Sequence, residues 1–153
     1  MNLEVMRLPH ATDLPLPAYA TEGSAGLDLL AAVDKEIEVK PGARVCVPTG
    51  IAVALPAGFE AQVRPRSGLA LHHGVTLLNS PGTIDSDYRG EIKATLVNHG
   101  EDTFRITRGM KIAQLVIARH ETAKLQEVKE LPASERGAGG FGSTGMHTGK
   151  HHA

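Results

Sequence analysis

Tryptophan is absent from this 153-residue chain, and three Phe and two Tyr are its only aromatic residues. Its core must therefore rest mainly on Val, Ile, Leu and Ala. A single cysteine, Cys46, excludes an internal disulfide, and nothing in cysteine usage argues for secretion. Charge of one sign is also lacking. Sixteen Lys+Arg against 17 Asp+Glu leave a net charge of -1, so there is no general basic field for nucleic acid or an anionic membrane, and any grip on phosphate must be local. No apolar run approaches the ~20 residues of a membrane-spanning helix. The opening stretch Met1–Pro15 has no continuous apolar core of signal-peptide type. With 41% hydrophobic residues the chain is too apolar to be disordered. These absences leave one globular domain, expected in the cytoplasm.

Seventeen glycines and nine prolines punctuate the chain at short intervals, with short Val/Ile/Leu runs between them. Val45, Val47, Ile51, Val53 and Leu55 recur every second residue around a Pro48-Thr49-Gly50 break; Ile92, Ala94 and Leu96 alternate likewise, and Ile112 to Ile117 is a denser run. Many short strands with turn signals at this spacing predict an all-β sandwich or barrel. One short helix fits, with Ser67 capping residues 68–73 and Gly74 ending it. No internal repeat is visible. From about Ala133 the chain becomes Gly-rich and cannot form a core, which divides it into a β domain over residues 1–132 and a flexible arm over 133–153. Arg136, Phe141, Ser143 and Thr144 within that arm suit closure over an anionic, aromatic ligand better than they suit a plain spacer. Lys150, His151 and His152 carry no readable signal.

Four further segments could carry chemistry. Asp28 lies in the apolar stretch Ala25-Gly26-Leu27-Asp28-Leu29, where a lone carboxylate is usually a strand-edge residue. Arg64-Pro65-Arg66-Ser67-Gly68 joins a cation, a hydroxyl and a glycine at a predicted helix start; it reads equally as a phosphate site or as an ordinary capped helix. Asn79 to Gly90 reads as a hairpin with two carboxylates and a Tyr. Asp85 follows the apolar Ile84 and is expected to be partly buried, where a carboxylate can serve as a general base. Gln114 stands in an apolar strand and must satisfy its amide through a core bond or a ligand. Cys46 reads as a small buried hydrophobe. His72 and His73 are adjacent and so poor joint metal ligands, and no GxxxxGK[ST] phosphate loop is present.

These five segments, in this order and spacing from about Ala25 to Thr144, resemble the five motifs of the trimeric dUTPases. The resemblance implies a distorted jelly-roll β fold, a homotrimer with active sites shared between subunits, and an arm that completes a neighbour's site. It also implies hydrolysis of dUTP to dUMP and pyrophosphate, lowering dUTP and supplying dUMP for thymidylate synthesis, with Mg²⁺ held mainly on the triphosphate. Asp85 would activate the attacking water, and Asp28 would act on the metal through water. Arg66, Ser67, Gly68 and Gln114 would hold phosphates; Asn79, Thr83 and Ile84 would read the base edge. Tyr88 would exclude a ribose 2′-hydroxyl, and Lys93 would contribute to the pocket. From the arm, Arg136, Ser143 and Thr144 would meet the terminal phosphate, Gly142 would also belong to the substrate-binding set, and Phe141 would cover the uracil. The related dCTP deaminases carry a Glu about ten residues beyond the hairpin Asp and favour a Trp at its end. Here Thr95 and the run Asp-Tyr-Arg-Gly stand in those places, which favours the hydrolase over a deaminase or a bifunctional enzyme. A non-catalytic β-sandwich trimer is the remaining alternative.

Overall fold

The computed structural model describes residues 1–147, so the predicted solvated end at Lys150, His151 and His152 lies outside the described residues. Eleven strands, one α-helix and a short 3-10 turn at Pro9–Ala11 are found among them; the strands and α-helix follow in order: β1 (Glu4–Arg7), β2 (Gly26–Leu30), β3 (Ile37–Val39), β4 (Arg44–Pro48), β5 (Ile51–Ala54), β6 (Phe59–Arg64), α1 (Ser67–His73), β7 (Val75–Leu77), β8 (Gly82–Ile84), β9 (Lys93–Asn98), β10 (Phe104–Ile106) and β11 (Lys111–Arg119). Every pairing is antiparallel, in sheets of order β2-β11-β6-β8, β4-β9-β7, β1-β5 and β3-β10. No two neighbours in these sheets are consecutive strands, so the chain crosses repeatedly between them, and the mostly-β expectation is met.

The alternating runs behave as period-2 strands should. Val47, Val53, Ile92, Ala94 and Leu96 all turn into one core with Leu29, Ile106, Ile112 and Leu115. Phe104 is the one buried aromatic among the described residues, so the shortage of rings is matched by an aliphatic interior. The same alternation corrects the expectation for Cys46. It lies between Val45 and Val47 on β4 and faces outward, exposed.

Two further expectations change. Residues Asn79 to Gly90 do not make a hairpin of mutually paired strands, because β8 pairs with β6 and β9 pairs with β4 and β7. Helix α1 begins one residue earlier than expected: Arg66 occupies the N-cap with extended backbone and makes no side-chain cap bond, while Ser67 is already helical. Gly74 closes the helix as expected, with φ 65° and its N–H directed at the Leu69 and Ala70 carbonyls.

Polar groups in the interior are matched. Asn98 is fully buried; its Nδ2 donates to the Val39 and Asp102 carbonyls at 2.8 Å each, and its Oδ1 accepts the Gly100 N–H at 2.8 Å. Arg108 ties the N-terminal segment to the domain, donating to both Asp13 carboxylate oxygens and to the His10 and Val33 carbonyls. That guanidinium holds the Asp13 carboxyl below the usual carboxylate range. Its stabilising effect is therefore present above the ordinary Asp value and lost as the pH falls through the lowered one.

Residues Met1–Thr122 form one compact unit, and a second unit begins at Ala123. The second unit holds no strand or helix among its described residues and is organised by tight turns. Gly137 N–H donates to Ser134, Gly139 N–H to the Arg136 carbonyl, and Arg136 Nε returns to the Gly139 carbonyl at 2.7 Å. Phe141 is fully exposed and has a φ of 48°, a left-handed conformation that is uncommon for a non-glycine residue.

Replacing Asn98 by Ala removes three hydrogen bonds, one of them to the buried Val39 carbonyl, and should lower stability by about 2–4 kcal/mol. Chemical denaturation at fixed protein concentration checks this, and an unchanged midpoint would show that the three bonds contribute nothing net.

Candidate active site

The segment predicted as a phosphate site is built around one carboxylate. Asp28 on β2, 14% exposed, is approached by Arg66 Nε at 3.3 Å on Oδ1 and by Lys111 Nζ at 2.6 Å on Oδ2. Arg66 Nη1 also donates to the Lys111 carbonyl at 3.0 Å. Asp28, Arg66, Ser67, Gly68, Lys111 and Gln114 line one open cleft of about 330 Å³ with Ser24 and Gly26. One carboxylate against two cations leaves the lining with a net positive charge, which suits a polyanion.

Strand register explains how these residues meet. On β11, Gln114 stands opposite Asp28 of β2 on one side and Arg64 of β6 on the other. Between Lys111 and Ala113 the ladder to β2 slips by one residue, a β-bulge. Strict alternation would put Lys111 and Gln114 on opposite faces. The extra residue turns both Ile112 and Ala113 into the core, 1% and 0% exposed, and brings Lys111 onto the face of Gln114. Sequence reasoning missed Lys111 because bulges break the period it relied on.

Gln114 donates Nε2 to the Pro65 carbonyl at 3.0 Å and is half-buried at the cleft wall. This satisfies one amide donor by an internal bond while leaving the side chain in the lining. Gly26 makes this possible, since a Cβ there would overlap Gln114 Oε1.

The other predicted residues stand elsewhere. β8 runs antiparallel to β6, with Gly82, Thr83 and Ile84 opposite Val63, Gln62 and Ala61. Ile84, next to Asp85, is thus three residues before Arg64 along β6, roughly 10 Å further from the cleft. Asp85 is exposed, contrary to the expectation of partial burial. It follows the end of an edge strand, and its carbonyl accepts the Tyr88 N–H at 3.1 Å across a tight turn. Asn79 is exposed before β8, with its amide close to Gly82. Tyr88 lies over Gly90, and its hydroxyl donates to the Glu91 carbonyl at 3.0 Å. Glu91, which sequence reasoning also passed over, is held in turn by the Gly50 N–H and by His10, each at 2.9 Å. Lys93 is exposed at the start of β9 and does not line the cleft. Arg136, Phe141, Gly142, Ser143 and Thr144 belong to the second unit.

The dUTPase family profile matches residues 12–145. The chain belongs to the dUTPase family. It is 55% identical to the deoxyuridine 5'-triphosphate nucleotidohydrolase of Rhizobium rhizogenes (strain K84 / ATCC BAA-868) over 147 residues, covering 95% of this chain and 94% of that one. Among solved structures it resembles the dUTPase of Staphylococcus bacteriophage 80alpha with dUPNHPP, at a TM-score of 0.86 and 26% identity, covering 95% and 99% of the two chains. It also shares the fold of a dUTPase variant from phage phi11 of S. aureus, described with the coordination of a structural Mg(II) ion, at a TM-score of 0.76 and 23% identity over 85% and 98%. The protein is an enzyme, and it hydrolyses dUTP.

Among the described residues of this dUTPase, no group of three or more His, Cys, Asp or Glu side chains could hold a metal ion. Asp28 is the one carboxylate in the cleft lining. That donor set does not make a protein cage, and it fits a Mg²⁺ that keeps several waters and takes its other ligands from substrate phosphates.

Gly26→Ala should push the Gln114 amide from the Pro65 carbonyl and raise the KM for dUTP by about tenfold. Gly23→Ala, where a Cβ meets nothing within 4 Å, should leave it unchanged. Equal KM values for the two variants would refute the steric role of Gly26.

Proposed function

We propose that the cleft around Asp28 holds the triphosphate of dUTP while Asp85, supplied by another subunit, activates the water that attacks the α-phosphorus. The observation that carries this reading is the pairing of one carboxylate with two cations beside Ser67, Gly68 and Gln114, at a distance along β6 from Asp85. A single chain holds the binding half and the base at separate places, so a site shared between chains of a homotrimer follows naturally. The exposure of Asp85 is then a property of the lone chain.

In this mechanism Asp85 accepts a proton from water as the oxygen attacks in line, and dUMP and pyrophosphate are released. Arg66, the Ser67 hydroxyl and the Gln114 amide orient the phosphates and meet the charge that develops on them. Asp28 holds Arg66 in place and offers its carboxylate to the water shell of the metal. Bound to the triphosphate, Mg²⁺ supplies charge neutralisation. Arg136, Ser143 and Thr144 of a neighbouring chain's arm close on the terminal phosphate, with Gly142 also at the substrate and the Phe141 ring over the uracil. A fully exposed ring in the arm gains a partner this way, which favours closure on the ligand.

Base and sugar recognition belongs to Asn79, Thr83, Ile84 and the backbone of β8, with Lys93 contributing to the same pocket. β8 is an edge strand, and no strand among the described residues pairs with its outer side, so its free N–H and C=O groups suit reading a uracil edge. Tyr88, braced at the Glu91 carbonyl, presents a rigid ring where a 2′-hydroxyl would have to fit. The product dUMP would feed thymidylate synthesis, and the reaction would run in the cytoplasm.

Asp85→Asn should lower kcat for pyrophosphate release by about 10²–10⁴-fold with little change in KM; a kcat within threefold of the parent would remove Asp85 as the base. Mixing and co-refolding the inactive Asp85→Asn and Arg66→Gln proteins should restore a substantial fraction of turnover, because some mixed sites draw Arg66 and Asp85 from different chains. No recovery in confirmed mixed trimers would contradict shared sites.

A further inference from the structure

We infer that Lys111 is a phosphate-positioning residue of this enzyme, a second cation that acts beside Arg66. The inference rests on the reading of the cleft as the triphosphate site and extends it to a residue to which the family resemblance gives no role. Three observations support it. The bulge between Lys111 and Ala113 places the Lys111 side chain on the cleft face, where regular alternation would have sent it elsewhere. Its ammonium is fixed at 2.6 Å from Asp28 Oδ2, with the side chain about half exposed at 49%. Among the described residues no other partner is found for that ammonium, so two of its three donors are unpartnered on a side chain that lines the cleft.

The electrostatics need the second cation. Arg66 and Asp28 alone cancel, and a neutral pair has little attraction for a triphosphate that stays anionic even with Mg²⁺ bound. With Lys111 the group carries one net positive charge, and the lining contains no further carboxylate to offset it. The Asp28 carboxylate also keeps the lysine stem from wandering, so less side-chain entropy remains to be lost when phosphate arrives. The Lys111 carbonyl completes the arrangement by accepting from Arg66 Nη1 at 3.0 Å, which ties the two cations to a common geometry. Lysine is a compact point charge with rotatable donors, suited to following a phosphate oxygen while it stays in contact with Asp28.

The test compares full-length parent enzyme, Lys111→Met, Lys111→Arg and Arg66→Gln in binding titrations at one Mg²⁺ concentration. The ligands are deoxyuridine, which has no phosphate, and a non-hydrolysable imido analogue of dUTP. Lys111→Met should weaken the analogue by roughly ten- to a hundredfold, the scale of a lost charge-assisted hydrogen bond. Deoxyuridine affinity should stay within about twofold, and Lys111→Arg should restore most of the analogue affinity. Equal weakening of both ligands would mark Lys111 as merely structural and overturn the inference. A loss that vanishes in an Asp28→Asn background would also overturn it, because Lys111 would then act only by neutralising that carboxylate. If Arg66→Gln weakens the analogue and Lys111→Met does not, the inference alone fails. If neither variant weakens it, the phosphate reading of the cleft fails with it.

Discussion

A half-hidden carboxylate between two cations is costly unless both of its oxygens are matched, and at Asp28 they are, by Arg66 and Lys111. The three residues come from β2, from the segment just after β6, and from the start of β11. The ion pairs therefore tie the middle of β2 to the segment after β6 and to the start of β11. Removing the carboxylate would leave two like charges facing one another, and removing either cation would leave an oxygen poorly compensated. The geometry of the cleft, and the placement of Ser67, Gly68 and Gln114 around it, depends on this balance.

β11 is the strand through which that balance is expressed. It pairs on both sides, with β2 and with β6, and its inward residues Ile112, Ala113 and Leu115 belong to the core. Lys111 and Gln114, on its other face, line the cleft. A single bulge reconciles the two demands, allowing two successive apolar residues to be buried while Lys111 and Gln114 share the other face. Core packing and phosphate recognition are thus two sides of one element, and disturbing its register would disturb both.

The rest of the catalytic equipment is held on different elements. Asp85 follows an edge strand, Tyr88 is braced through Glu91 to Gly50 and His10, and the arm residues sit in a unit with no strands of its own. On the proposed mechanism this division is physically useful. Asp28, Lys111 and Gln114 lie on a paired sheet, while the ring of Phe141 is exposed among glycine turns and would gain a partner on binding. The deaminase alternative loses ground with the family assignment, and Thr95, on β9 opposite Cys46, offers no carboxylate.

Composition and periodicity carried much of the fold. The aliphatic core, the alternating strands and the Gly74 helix stop follow from side-chain volume, two-residue periodicity and the left-handed tolerance of glycine. The site was legible as motifs, since Asp28, Arg66, Ser67, Gly68 and Gln114 do meet in space. Local pattern failed where partners distant in sequence decided the outcome. β8 pairs with β6 instead of folding back as a hairpin, Ser67 is inside the helix because the extended residue before it is Arg66, and Asp85 is exposed because β8 ends at a sheet edge. Lys111 is the clearest case. The sequence by itself determined which residue types were available to bind a triphosphate and roughly in what order. Only the tertiary structure, through one slipped register in β11, decided that Lys111 would stand beside Gln114, because a bulge arises from pairing with β2 and leaves no mark in either strand alone.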